Sequence, residues 1–218
     1  YQNAINEYLK ITPATADTML GVASAYQNLN DTDKAIEYYK QALSLAPTNS
    51  DIAFYIASLY ADKEDMGNAK IFAEKSLTLN KTNKQAQELL KSIADNIEAQ
   101  NLDKAIALFD SEKYSESLAL LNQILAKDSK NTYALYYRGM VYDTQKKYNE
   151  AIADYKKAVA SNPDLAIVNY LIGVDYDMLE QYKNAMSYYK AFTATYSEDD
   201  DYSKYAKTRI SELAPYVK

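Results

Sequence analysis

The sequence predicts an all-α fold, a solenoid of stacked antiparallel helix pairs, and three observations predict it. First, Gly139, Tyr142, Tyr148, Ala151 and Tyr155 recur as Gly173, Tyr176, Tyr182, Ala185 and Tyr189, each 34 residues on, and a fixed period of that length marks a repeat architecture. Second, 218 residues contain only four Gly and four Pro, too few turn residues for a β-rich fold. Third, Ala, Leu, Lys, Glu and Gln are plentiful, and these are strong helix formers.

Taken in order, residues 1–12 align with the second helix of a pair, because Tyr1, Ile5, Tyr8 and Pro13 match Ala35, Tyr39, Ala42 and Pro47 one period later. The chain therefore opens mid-repeat and without Met, and reads as a fragment whose upstream part lies out of view. No signal peptide is visible. The next unit is complete. Met19, Val22, Ala23 and Tyr26 share one face of a first helix. Asp31 is placed to cap a second helix carrying Ala35, Tyr39 and Ala42, and Pro47 ends the unit. The third unit repeats this with Ile56, Ala57, Tyr60, Ala69, Ala73 and Ser76, but Lys81 stands where the closing proline is expected.

Small residues recur where helices must cross closely. On first helices they are Ala23, Ala57, Ala105, Gly139 and Gly173. On second helices they are Ala35, Ala69, Ser117, Ala151 and Ala185. Small side chains let axes approach to the short end of about 8–10 Å.

The period breaks once. Ala69 and Ser117 lie one period plus 14 residues apart, and the extra stretch around Lys84–Ile97 holds neither Gly nor Pro. Either one long helix runs from about Lys84 to Ser111, or two helices meet near Gln100–Asp103 with Asn101 as a cap. The absence of breakers favours the long helix, dividing the chain into blocks 1–97 and 98–218. Fourteen residues are about 3.9 turns, so a continuous helix returns to nearly the same face.

The second block holds the two most regular units, Asn131–Pro163 and Asp164–Ser197, then the acidic run Glu198–Asp201. A C-terminal capping helix is expected over 202–213, with Tyr205, Ile210 and Leu213 packing and most of Lys204, Lys207 and Arg209 facing outward. The acidic run reads as a solvated loop favouring the helix N-terminus, since consecutive carboxylates without a sharp Gly turn lack the spacing of a calcium loop.

These positions carry a family resemblance. Val22-Ala23, Tyr26, Ala35, Tyr39, Ala42 and Pro47, and again Arg138-Gly139, Tyr142, Tyr148, Ala151, Tyr155, Ala158 and Pro163, resemble the tetratricopeptide repeat. The resemblance implies a right-handed superhelix, with first helices lining a concave face and second helices a convex one. Function is then expected in the concave groove.

Composition narrows that function. There is no Cys and no His, which removes thiol and imidazole chemistry and the usual base for a nucleophile. No enzyme and no cofactor or metal are expected. A net charge of −6 disfavours non-specific binding to nucleic acid. No apolar run approaches the roughly 18–20 residues of a membrane span, so direct membrane insertion is not expected.

Matching unit to unit puts Tyr133, Tyr136, Met140 and Asp143, then Tyr170, Val174 and Asp177, on the groove side of the second block. Tyr136 and Tyr170 are the expected anchors, and Asp143 and Asp177 an expected negative rim. Such a groove suits a hydrophobic peptide or helix carrying positive charge. The family's Lys/Asn clamp for a C-terminal carboxylate is disfavoured, because Leu20, Ser24, Phe54 and Ser58 stand at the matching places. The expected function is a non-catalytic protein-interaction scaffold; the alternative is a small-ligand or glycan-binding module using the groove tyrosines. Asp175 stands where other units carry Ala25, Leu59, Ala107 and Val141, and is expected to be exposed or paired with Lys204 or Arg209.

Overall fold

A computed structural model of the chain describes residues 1–217, all helix and short turns, with no strand among them. The helices are α1 Gln2–Tyr8, α2 Ala16–Asn28, α3 Thr32–Leu45, α4 Ser50–Asp62, α5 Met66–Leu79, α6 Lys84–Asp110, α7 Tyr114–Lys127, α8 Thr132–Thr144, α9 Tyr148–Ser161, α10 Ala166–Met178, α11 Tyr182–Thr195 and α12 Asp201–Leu213, with a closing 3₁₀ turn, Ala214–Val217. They fall into two compact units, Tyr1–Ile97 and a second from Glu98 onward.

Each helix pair is closed by the same turn. The residues Asn30, Glu64, Glu112, Lys146 and Glu180 all take φ of 58–60°. One residue later an N–H reaches back to the carbonyl five residues before it: Asp31 to Tyr26, Asp65 to Tyr60, Lys113 to Leu108, Lys147 to Tyr142 and Gln181 to Tyr176, at 2.8–3.0 Å. This is a left-handed C-terminal cap in which no glycine is used. A side chain at such a φ carries a steric cost that Gly avoids. Replacing exposed Glu180 by Gly is therefore expected to stabilise by a few tenths to about 1 kcal/mol, measurable in urea titration as a rise in midpoint at constant slope.

The helix starts obey the expected chemistry. The Asp31 carboxylate accepts from the Lys34 N–H at the head of α3, and Asp65 caps α5 in the same way. Asp200 accepts from the Ser203 N–H at the head of α12, so the acidic run does serve the last helix. Lys81 is no obstacle to ending α5. Asn83 is 8% exposed, donates to Ser76 Oγ at 3.1 Å and accepts from the Ala86 N–H. This one side chain ties the end of α5 to the start of α6.

The 14 extra residues are absorbed without a break. α6 is a single helix of 27 residues, where α2–α5 and α7–α12 have 13 or 14. It is about 40 Å long. Its first part, with Ala86 and Ile93 buried, belongs to the first unit, and its last part, with Ala105 buried, to the second.

The cores are built on the small residues. Ala23, Ala57, Ala105, Ala35, Ala69, Ser117, Ala151 and Ala185 are all fully buried. In the first unit Ala23 and Ala35 cluster with Ile52 and Ile56; in the second Ala105 clusters with Leu121, Leu135 and Val141, Ala151 with Ile172, and Ala185 with Phe192. Ser117 buries its hydroxyl by donating to the Ala105 carbonyl at 2.8 Å. Between α8 and α9, Arg138 clamps the 3%-exposed Asp154 with two hydrogen bonds of 2.6 and 2.8 Å and donates a third to Asn122 of α7.

The last helix follows the expectation in part: Leu213 is buried, Ile210 packs against the same cluster, and Lys204 and Lys207 face outward. Ser203, Ala206 and Leu213 are its buried residues, while Tyr205 stays 44% exposed. Arg209 does not face outward but turns back onto α10.

Candidate functional site

Side chains three and four residues apart share a helix face, so Tyr133, Tyr136, Met140 and Asp143 rise together on α8, and Tyr170, Val174 and Asp177 on α10. The two expected anchors are half-buried rather than projecting. Tyr136 meets Tyr137 edge-on at 5.1 Å and lies 6.3 Å from Tyr155. Tyr170 is surrounded by Tyr202 at 5.2 Å, Phe192 at 5.4 Å, Tyr205 at 5.9 Å and Tyr189 at 6.1 Å. Burial is the main cause that raises the phenol pKa of both Tyr136 and Tyr170. Met140 and Val174 are half-buried in the packing beneath.

The rings that water reaches are Tyr133, Tyr202 and Tyr205, at 51, 49 and 44% exposure. Tyr133 is the one sequence-derived candidate among them. Tyr202 and Tyr205 belong to α12, the helix expected to cover the end of the stack. Both in fact lie edge-on against Tyr170, so the capping helix contributes to the same aromatic face. The legible signal was a pair of tyrosines three residues apart on a helix, the spacing of Tyr133 and Tyr136.

The acidic residues depart further from expectation. Asp177 is not a free rim charge: Arg209 of α12 grips it with Nε and Nη2 at 2.7 Å each, and the Tyr189 hydroxyl donates to it at 3.4 Å. The Asp177 side chain is only 9% exposed. With Arg209 so committed, Asp175 has neither of its expected fates. It is fully buried, and apart from the neighbouring carboxyl of Asp143 nothing hydrogen-bonds to its oxygens. What it faces is a second carboxyl, Asp143 of α8. Burial first, and then the nearby Asp143, push the Asp175 carboxyl up to about 8, and burial raises Asp143 as well. The pair therefore holds a proton at neutral pH, because two carboxylates this close cannot both ionise cheaply. The Tyr155 hydroxyl is buried beside both and has no hydrogen-bond partner.

Among the described residues no group of three or more acidic, His or Cys side chains could hold a metal ion, and no helix is long and apolar enough to cross a membrane. One cavity of about 720 Å³ is lined by Ser129, Lys130, Thr132, Lys157, Ala160 and Ser161, none of them in the tyrosine set.

Comparison with known proteins bears on the fold. Tetratricopeptide repeat family models match residues 16–49, 52–83 and 102–166. Among solved structures, the TPR2AB domain of yeast Sti1 in its complex with pHSP90 is 15% identical, covers 98% of this chain and 92% of its own, and superposes with a TM-score of 0.53. The TPR domain of P58(IPK) is 16% identical over 98% of this chain and 60% of its own, at 0.50. A search of curated proteins finds no sequence match.

Proposed function

The chain belongs to the tetratricopeptide repeat family, and from that premise we propose that it is a non-catalytic scaffold that binds a peptide or helix on the first-helix face of its second unit. The observation that carries this reading is the aromatic face itself: half-exposed Tyr133, Tyr202 and Tyr205 around a floor of Tyr136 and Tyr170. Tyr202 and Tyr205 rest on Tyr170 and are held in place, so binding orders them little more, and tyrosine is enriched among interface anchors because it buries much area at little rotamer cost. Asp143 adds acidity, which suits an apolar segment with a basic residue and speeds capture more than it tightens the complex. The Sti1 structure, itself a complex with pHSP90, supports peptide binding as a use to which this fold is put.

A displayed random-peptide library panned on the full chain tests it. Binders enriched in apolar residues with at least one Lys or Arg are expected. Tyr133→Ala and Tyr202→Ala are each expected to weaken such a binder by about 1–3 kcal/mol while leaving circular dichroism unchanged. Tyr170→Ala is a poorer probe, because four rings rest on that side chain. Unchanged affinity in the Tyr133→Ala/Tyr202→Ala double variant would move the site elsewhere. Saturable binding of a glycan or metabolite at the same tyrosines, with no peptide recovered, would favour the small-ligand reading.

A further inference from the structure

The repeat offers an internal comparison. Asp143 and Asp177 are one 34-residue period apart, and so are Asp175 and Arg209. The Asp143–Asp175 contact between α8 and α10 is thus the counterpart of the Asp177–Arg209 contact between α10 and α12. In the later copy a carboxylate is answered by a two-pronged guanidinium, with the Tyr189 hydroxyl donating to the same carboxylate. In the earlier copy the tyrosine counterpart is Tyr155, fully buried with its hydroxyl unpartnered, and the place of the arginine is held by a second carboxyl that no cation and no group other than the Asp143 carboxyl meets. Among the described residues no Lys or Arg is paired with Asp143 or Asp175.

From this juxtaposition we infer that Asp143, Asp175 and Tyr155 form a receptor for an arginine guanidinium supplied by the bound segment, gripped as Arg209 grips Asp177. Asp143 is the accessible member, half-buried on the α8 face beside Met140. Asp175 and Tyr155 lie behind it. Two carboxylates and a phenol offer a planar fork more acceptors than the single carboxylate that already holds Arg209, and a guanidinium suits such a fork better than an ammonium.

Docking is coupled to a proton. The pair keeps one proton when no cation is near. A guanidinium repels it, so it leaves to solvent and both carboxylates accept from the arginine. The groups facing the pair are Tyr155 from α9 and, beyond it, Tyr136 from α8 and Asp154 from α9. Asp154 is held by Arg138, and Arg209 of α12 is held by Asp177 and Glu212. The phenol of Tyr155 is pushed far above its usual range by burial and stays neutral. Asp143 and Asp175 are therefore the pair that titrates.

The inference rests on the reading that a segment binds across α8 and α10, but its test does not need that segment. N-acetyl-arginine amide is titrated into the full chain and monitored by the amide NMR signals of Asp143, Tyr155 and Asp175. Saturable shifts at these residues are expected, with the dissociation constant rising about tenfold for each pH unit below 8. N-acetyl-citrulline amide, isosteric and uncharged, is expected to leave them unmoved. Asp143→Asn is expected to abolish the shifts, and Asp175→Val to leave weaker binding whose pH dependence is that of Asp143 alone and sets in at lower pH. Equal affinity at pH 6 and pH 9, or equal shifts in Asp143→Asn, would overturn the receptor. If selected peptides bind through Tyr133 and Tyr202 while the arginine probe has no effect, the receptor fails and the aromatic face stands. If the probe binds while those tyrosines prove irrelevant to peptides, the face fails and the receptor stands.

Discussion

Asp175→Val is expected to raise the thermal midpoint of the second unit at pH 8, against the usual direction for a core substitution. The equivalent position one period earlier is Val141, which is fully buried, so the site accepts a valine in shape. The gain comes from removing a buried carboxyl whose one hydrogen-bonding neighbour is another carboxyl. The folded-state pKa of Asp175 is raised, to about 8 from an ordinary 3.8. A raised acid favours folding most below its unfolded pKa, where both states are protonated. That stability is lost as pH rises toward the folded value, at about 1.4 kcal/mol per pH unit while only the native state holds the proton. By pH 8 the accumulated loss is on the order of 5 kcal/mol, part of which the coupled Asp143 shares. Valine carries none of it and adds apolar burial. A gain of about 3 kcal/mol corresponds to roughly 6–12 °C in Tm for a chain of this size. The difference between the two proteins should shrink as pH falls from 8 to 4. Calorimetry at both pH values checks it: a lower Tm for Asp175→Val at pH 8 would mean that the acid pair is a favourable contact and not a cost.

Gly139→Leu is expected to destabilise by about 3 kcal/mol. A Cβ built at Gly139 would stand 2.5 Å from Cε1 and 2.7 Å from Cδ1 of Tyr155, a ring that is itself fully buried. Even the first added carbon therefore displaces a packed aromatic, and the rest of a leucine has nowhere to go. Leucine is the better helix former by about 1 kcal/mol, which offsets only part of the overpacking. Gly173 stands in the same relation to Tyr189, at 2.8 Å, so Gly173→Leu should behave alike. Lys147→Leu, on an exposed position at the head of α9, should change stability little. Urea titration of the three variants separates the cases, and equal midpoints for Gly139→Leu and Lys147→Leu would contradict the close crossing of α8 and α9.

The 34-residue period specified the repeat and, with it, most of the core. Residues 34 apart must occupy like environments, so Ala23, Ala57 and Ala105 could be placed in helix crossings without coordinates, and they are buried there. Capping is local chemistry, so Asp31 was legible too. The candidate face could be named on α8 and α10 because helical spacing is also local. The absence of Gly and Pro favoured one long helix, and α6 runs unbroken through the 14 extra residues. Two things were not legible, and the reason is common to them. The positions of Tyr202 and Tyr205 depended on how α12 settles against α10, where its small residues Ser203 and Ala206, not Tyr205, turn inward. The partner of Arg209 depended on which of two aspartates, Asp175 or Asp177, the helix approach brought within reach. At 2.7 Å it is Asp177, and Asp175 is left facing Asp143. Periodicity specifies which residues are equivalent; only the packed helices settle which side chains meet, because charge pairing and ring contact act over a few ångströms and sequence spacing does not measure them.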